Sequence, residues 1–331
     1  MEELTMRHRP LGRIPRLGAF LLAFVAGVAM SLQAHINGQL GAELGSGITA
    51  ATLSFAGGVV LLALATLAST SIRRGIVSIQ RAISTRSVPW TFTLAGSAGA
   101  AFVLSQSTVS PLLGLGNFTV AFVCGLTVGG LIMDRWGIGP AGRQPLSILR
   151  LSGAALGIAA VVIATTGARS TRELTLALLL PVACGVAVAW QQAANGRLTA
   201  AGNNAWSTTL INFSVGLGVL LLGTAIDFAV SHPVVTFPMN PLLYLGGPVG
   251  IVFIAIASIV VRHIGILLYG LCATTGQLSS AVLFDVFAPS DATSHAVSAT
   301  VVLAVIVVAA GAALASLSGL RSKMRGGVDA E

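Results

Sequence analysis

The sequence contains very few charged side chains. Only 8% of its 331 residues are Asp, Glu, Lys or Arg, 55% are hydrophobic, and the mean hydropathy is +0.91. A soluble domain carries about 25% charged residues. A folded chain of this length could not cover its surface with so few charges in water, so the composition excludes a soluble globular protein and indicates one that lies in lipid.

The sequence also lacks the motifs of several enzyme and cofactor classes. It has no Walker lysine motif, no HExxH, no nucleophile elbow and no dinucleotide-binding glycine fingerprint. Its three cysteines, Cys124, Cys184 and Cys272, lie within apolar runs and have no paired spacing. We therefore predict no disulfide, no metal site, no cofactor and no ATP-driven transport by this chain alone.

Basic residues exceed acidic ones, with a net charge of +8, but they form no single stripe of the kind that binds nucleic acid. They lie in short segments between apolar runs of about 20 residues, the length that crosses a bilayer as a helix. We predict ten transmembrane helices, because backbone groups in lipid must be hydrogen-bonded within their own segment. The predicted spans are residues 17–40, 48–70, 89–109, 113–133, 147–167, 175–195, 205–226, 242–262, 264–284 and 294–318.

The first apolar run follows Arg7, Arg9, Arg13 and Arg16 and superficially resembles a secretory signal. It is too long for one and has no clear cleavage site of small residues, so we interpret it as a retained first span.

The basic residues are distributed unevenly between alternate connections. Sixteen of the eighteen Lys and Arg residues lie on one predicted side, and only Arg169 and Arg172 lie on the other. By the positive-inside rule, the richer side is cytoplasmic. The prediction is a multi-pass membrane protein with residues 1–16 and 319–331 as cytoplasmic tails. Between them lie two five-helix repeats, 17–167 and 175–318, joined by a loop at 168–174.

The two predicted halves resemble each other. Residues 33–40 (QAHINGQL) share Gln, Asn, Gly and Leu with residues 191–198 (QQAANGRL) at a shift of 158, which also aligns Ser54-Phe55 with Asn212-Phe213. A shift of 151 aligns residues in and just after the third and fourth spans with the second half: Gly96, Gly99, Phe102, Gly114, Gly125 and Asp134 with Gly247, Gly250, Phe253, Gly265, Gly276 and Asp285. Because each half has an odd number of spans, the second would enter the membrane inverted, as in many alternating-access carriers.

These motifs resemble the drug/metabolite transporter superfamily, and most of all its inner-membrane exporters of the YdcZ type. The shared features are Q-x-x-x-N-G-x-L in the first helix of each half, G-x-x-G-x-x-F in the third, and G-Q-L followed by Asp285 in the ninth span. The resemblance covers residues 17–318. It implies an all-α integral membrane protein with a 5+5 inverted repeat, in which helices one to four and six to nine surround a cavity. Leu126 stands where the second half has Gln277, a departure from symmetry.

Polar side chains within spans are the candidate site residues, because they are costly in lipid unless they face the bundle interior. The pairs Gln33 and Asn37, and Gln191 and Asn195, are each spaced four residues apart and share a helix face. Interhelical hydrogen bonding is the alternative role for these amides, and the favoured one for Asn212. The candidate substrate-binding residues are Gln33, Asn37, Gln106, Asn117, Trp190, Gln191, Asn195, Tyr269 and Gln277.

Aromatic and titratable residues complete the candidates. Trp190 and Tyr269 could stack on a planar or cationic solute, whereas Trp90, Trp136 and Trp206 fit the aromatic belt at the interfaces. His35 is the candidate coupling residue because histidine is a side chain that can exchange protons and this one lies within a predicted span. The acidic residues lie at or beyond helix ends; for Asp134 and its mate Asp285, capping or pairing with a neighbouring Arg is favoured over coupling.

The sequence therefore favours a secondary transporter, an exporter of a small organic metabolite or drug-like compound across the inner membrane, and not an enzyme. Its predicted partners are a small-molecule solute, a coupling ion if transport is coupled, and the lipid bilayer. A lipid-modifying intramembrane enzyme and a channel are the alternatives. The missing mid-span acids count against the enzyme, and the missing ring of pore-lining charges counts against the channel. Solute identity, direction, coupling and oligomeric state are not specified by these patterns.

Overall fold

A computed structural model describes residues 14–113, 115–165 and 178–287, together with separate positions between 303 and 314. All regular secondary structure in these ranges is helical. The α-helices are α1 (Arg16–Leu44), α2 (Gly47–Ala68), α3 (Thr70–Ser84), α4 (Gly96–Leu113), α5 (Leu115–Trp136), α6 (Ile148–Thr165), α7 (Leu179–Gly202), α8 (Ala205–Ser231), α9 (Gly246–Ile264) and α10 (Ile266–Phe287). Short 3₁₀ helices, Trp90–Ala95 and Pro241–Tyr244, precede α4 and α9.

Helices occupy the first nine predicted spans, with some shifted ends. The tenth, 294–318, lies outside the described residues except for the separate positions. Judged by length and composition alone, four segments of the described ranges could cross a membrane: Arg16–Leu44, Gly47–Ala68, Ala205–Ser231 and Pro241–Ile264. An all-helical fold is confirmed for the described residues, and these four segments are long and apolar enough to span a membrane.

Helix α3 occupies a segment that we assigned to a cytoplasmic connection. Its apolar residues Ile72, Ile76, Ile79 and Ile83 recur at helical spacing, and it packs against α7 and α8. The predicted second span ends two residues early because Ser69 caps α3 through its side chain, which accepts a hydrogen bond from the Ile72 backbone N–H. The period of these residues is helical, but the segment is too short and too polar to resemble a membrane span.

The helix packing follows a paired pattern. Helix α1 packs on α9 and α10, while α7 packs on α4 and α5, and α2 packs directly on α8. The shift of 158 relates α1 to α7, and the shift of 151 relates α4 to α9 and α5 to α10. The contacts that α1 makes with the second half therefore correspond to the contacts that α7 makes with the first half.

Glycines allow the closest of these approaches. A Cβ on Gly27 of α1 would overlap the Ala273 carbonyl of α10, and a Cβ on Gly185 of α7 would overlap the Phe122 carbonyl of α5. Gly185 corresponds to Gly27 at the shift of 158, and Ala273 corresponds to Phe122 at the shift of 151, so the two contacts are related by the repeat. Gly125 with Val182, and Gly276 with Phe24, form a second related pair of contacts. Small residues let membrane helices approach backbone to backbone, which increases van der Waals contact where lipid supplies no hydrophobic driving force.

Asp134 connects α5 to two other helices. Its carboxylate pairs with Arg150 of α6 and accepts hydrogen bonds from the backbone N–H groups of Ile266 (2.9 Å) and Leu267 (3.1 Å) at the start of α10. Pairing and capping are the roles expected for this residue, although the arginine is Arg150 and not the adjacent Arg135. A carboxylate at a helix N-terminus is favourably placed in the helix dipole. The side chain of its repeat mate, Asp285, lies outside the described residues.

Candidate functional site

A cavity lies inside the bundle among α1, α2, α4, α7, α8 and α9. Its volume is about 40 Å³, which is room for a few water molecules. Polar groups reach it from four helices, and the rest of its wall is apolar. Its polar lining residues are Gln33, Asn37, Gln106, Gln191 and Asn212.

Many lining residues are repeat mates, which are residues of the two halves that correspond to each other at the shift of 158 or 151. Gln33 and Gln191 both face the cavity, and so do two pairs of phenylalanines, Phe55 with Phe213 and Phe102 with Phe253. Gly99 and Gly250 form a further lining pair, as do Val103 and Ile254. The cavity therefore has related walls on its two sides, as expected for a site on a two-fold axis between similar halves.

Each of the two glutamines lies against a lining glycine of the other half. A Cβ on Gly99 would come 2.9 Å from Gln191 Nε2, and a Cβ on Gly250 would overlap Gln33 Nε2. Only glycine leaves room for these amide groups without a shift of the glutamines. The phenylalanines are seated similarly, because a Cβ on Gly216 would overlap the Phe55 ring and one on Gly58 the Phe213 ring. The Phe55 and Phe213 rings contact each other with centroids 4.9 Å apart.

Hydrogen bonding distinguishes the two sides. In the second half, Gln191 Nε2 donates to Asn212 Oδ1 and Asn212 Nδ2 donates to Asn195 Oδ1, both at 3.2 Å. All three residues are at most 3% exposed. This three-amide chain combines the hydrogen-bonding and cavity-lining roles that we weighed for these residues. Asn212, interpreted from sequence as a packing residue, both bonds and lines the cavity.

The remaining candidates are distributed around the cavity or away from it. Gln33, Asn37, Gln106 and Gln191 line it, whereas Asn195 reaches it only through Asn212. Trp190 is half-buried and packs edge-on against Phe92, with centroids 6.5 Å apart. The structure does not place it in the cavity wall.

Three further candidates lie outside the cavity lining, and a fourth is not described. Tyr269 is fully buried in α10, and its hydroxyl has no hydrogen-bond partner among the described residues. Gln277 and His35 are half-buried, on α10 and α1. The side chain of Asn117 lies outside the described residues. A binding role for Tyr269, Gln277 and Asn117 and a coupling role for His35 stay predictions.

The four lining phenylalanines were not selected from the sequence as site residues. A signal for them existed, since Phe55 with Phe213 and Phe102 with Phe253 were among the matches that defined the repeat. In an inverted repeat, residues near the two-fold axis contact their own mates, so matched bulky residues in matched helices are candidates for a shared site.

Comparison with known proteins gives one family. Its model, DMT_YdcZ, described as "Putative inner membrane exporter, YdcZ", matches residues 18–163 and again 176–314. No curated protein matches the chain. A solved structure titled "Crystal structure of protein" is similar in fold, with a TM-score of 0.62 and 20% identity over 92% of this chain and 96% of that one. The resemblance drawn from the motifs is confirmed, and the chain belongs to the DMT_YdcZ family of inner membrane exporters.

Proposed function

We propose that the protein is a secondary carrier that exports a small organic solute across the inner membrane by alternating access. Ten helices in a 5+5 inverted repeat would enclose the central cavity, with both termini in the cytoplasm. The observation that carries the proposal is the cavity wall itself, in which glutamines, phenylalanines and glycines from one half face their mates from the other.

Two independent features support the inverted repeat. The family model matches two successive regions of the chain, 18–163 and 176–314, as expected if each half is one family unit. The close helix contacts of Gly27 with Ala273 and of Gly185 with Phe122 are related by the same shifts that align the sequences. If the first repeat has the five spans predicted for it, the second half would enter the membrane from the opposite side.

The size of the cavity supports a carrier over an open pore. A volume of about 40 Å³ is small for a metabolite, which favours a binding site that widens when helices around it separate. Two similar halves provide a means to do so on either side, because exchanging their conformations converts an opening on one face into an opening on the other. The amides then supply orienting hydrogen bonds and the phenylalanines supply apolar contact.

Counterflow in proteoliposomes tests the carrier. Vesicles containing the purified protein are loaded with one unlabelled solute and diluted into the same labelled solute, with amino acids, sugars, nucleosides and quaternary amines taken in turn. A carrier accumulates label transiently for its substrate because the unlabelled solute leaves as the labelled one enters. Label entry that never exceeds equilibration, for a solute the protein does admit, would indicate a channel instead.

A matched pair of variants links transport to this cavity. Gly99→Ala places a methyl group 2.9 Å from the Gln191 amide, whereas Gly57→Ala on α2 meets nothing within 4 Å. Counterflow should fall in the first variant and persist in the second. Equal activity of the two would separate transport from this site.

A further inference from the structure

The two sides of the cavity contain related polar groups, but only one side satisfies them internally. In the second half, Gln191, Asn212 and Asn195 bond to one another. The corresponding residues of the first half are Gln33, Ser54 and Asn37. Serine occupies the central position, and within the described residues its hydroxyl group bonds to neither amide.

Two acceptor oxygens of the first half are left without a partner. Among the described residues, neither Asn37 Oδ1 nor Ser54 Oγ has a hydrogen-bond partner, although both atoms are buried. Ser54 is 2% exposed. Most buried polar atoms in folded proteins are paired, and an unpaired one is unfavourable. A ligand that donates hydrogen bonds would remove this penalty.

The two oxygens lie close to the same point. Both are among the nearest atoms to the position a Cβ would occupy on Gly246, with Ser54 Oγ at 2.8 Å and Asn37 Oδ1 closer. The absence of a side chain at Gly246 therefore keeps both oxygens free of a steric neighbour there. Asn37 also lines the cavity. Ser54 is not among the lining residues, so a donor group entering from the cavity reaches the Asn37 oxygen first and has Ser54 Oγ close to it.

The rest of the wall limits the charge of the ligand. The cavity contacts Phe55, Phe102, Phe213 and Phe253, and none of the lining residues within the described ranges carries a formal charge. Moving an ion from water into such a site is unfavourable because no opposite charge compensates its lost hydration. An uncharged molecule with an apolar or aromatic body fits these walls.

We propose that Asn37 and Ser54 form a donor-binding subsite, and that the solute carried by this protein is an uncharged molecule with an N–H or O–H donor on an apolar body. The inference rests on the proposed transport function for its biological meaning. Binding at the subsite can nevertheless be measured without transport.

Four related probes test the chemistry of the subsite: nicotinamide, N,N-dimethylnicotinamide, the ring-N-methylated nicotinamide cation, and nicotinate. They share a ring but differ in donor or charge. Binding is measured as the rise in melting temperature of the full chain in lipid nanodiscs at millimolar probe, since a ligand that binds only the folded state stabilises it. Nicotinamide should bind about fivefold more tightly than the dimethyl compound, the value of one hydrogen bond of about 1 kcal/mol. Both ions should bind more weakly than nicotinamide.

Variants then assign the effect to these residues. Asn37→Leu should lower nicotinamide affinity about fivefold and remove its advantage over the dimethyl compound. Asn37→Asp should reverse the charge preference, so that the ring-methylated cation binds best. Gln39→Leu, on the exposed side of the same helix, is the control and should leave all four affinities unchanged. Melting temperatures without probe verify that each variant folds.

Several outcomes would overturn the proposal. These are equal binding of nicotinamide and its dimethyl derivative, no binding by any of the four probes, or undiminished nicotinamide binding by Asn37→Leu. Any of them would leave the carrier proposal intact if counterflow is observed. Donor-dependent binding without counterflow of any solute would have the opposite meaning, supporting the subsite and contradicting carriage.

Discussion

The tightest helix contacts give a prediction about stability. Gly27 on α1 and Gly185 on α7 each lie against a backbone carbonyl of another helix, that of Ala273 and that of Phe122. A methyl group at either position would overlap a carbonyl oxygen, and a backbone atom cannot move aside as a flexible side chain can. We expect Gly27→Ala and Gly185→Ala to force the helices apart.

The magnitude follows from two opposing effects. Overpacking of one methyl group in a close-packed interior costs about 1–3 kcal/mol. Replacing a helical glycine by alanine stabilises the helix by about 0.5–1 kcal/mol. The net destabilisation should therefore be between about 0 and about 2.5 kcal/mol for each variant, and near the upper end because the overlap is with backbone atoms. In the control, Gly57→Ala, a Cβ meets nothing within 4 Å, so only the favourable helix effect remains.

Reversible unfolding in mixed micelles, with increasing denaturing detergent, measures these differences. The expected order is Gly57→Ala at or above the parent protein, with Gly27→Ala and Gly185→Ala both below it and similar to each other. The similarity matters because the two contacts are related by the repeat. If both test variants were as stable as Gly57→Ala, the close approach of these helices would be wrong. If only one were destabilised, the equivalence of the two contacts would be refuted.

Three further outcomes are expected. Asn212→Leu breaks two buried amide hydrogen bonds and should cost about 1–3 kcal/mol in the same unfolding assay; an unchanged free energy of unfolding would contradict the amide chain. Asp134→Asn leaves the Arg150 guanidinium buried without its carboxylate and should cost about 3–5 kcal/mol, against little change for the half-buried Asp227→Asn, and equal effects of the two would show that the Asp134 ion pair is not structural. Once a substrate is known, His35→Gln should abolish flux driven by a pH gradient if this histidine couples transport to protons, and unchanged flux would exclude that role.

The sequence predicts the positions of the helices well because the thickness of the hydrocarbon layer sets their length. Nine apolar runs became helices with ends displaced by a few residues. Helix α3 was missed because it is amphipathic and short, with a polar face that includes exposed Arg73, Arg74 and Arg81. Its apolar residues recur at a helical period, so a search for periodicity as well as for apolar length would have identified it.

The candidate site was less predictable from residue type alone. Gln33, Asn37, Gln106 and Gln191 line the cavity, whereas the equally polar Gln277 does not. In an apolar helix buried on several sides, side-chain polarity does not reveal which face meets the cavity. That information comes from helix packing, which brings Asn212 and the phenylalanines to the wall. Repeat symmetry is the sequence signal that best anticipates this packing, because it pairs residues near the axis.

The inverted repeat is tested most directly by measuring on which side of the membrane two corresponding residues of the two halves lie. Gln39 lies within the shared motif in α1, between its Gly and Leu, and Arg197 occupies the same place in α7 at the shift of 158. Single cysteines at these positions are introduced after replacing Cys124, Cys184 and Cys272, and intact cells are treated with a membrane-impermeant maleimide. The account predicts labelling of the cysteine at residue 39 from the periplasm, and of the one at residue 197 only after the membrane is opened. Labelling of both from the same side would contradict two halves of opposite orientation, and with them the proposed mechanism.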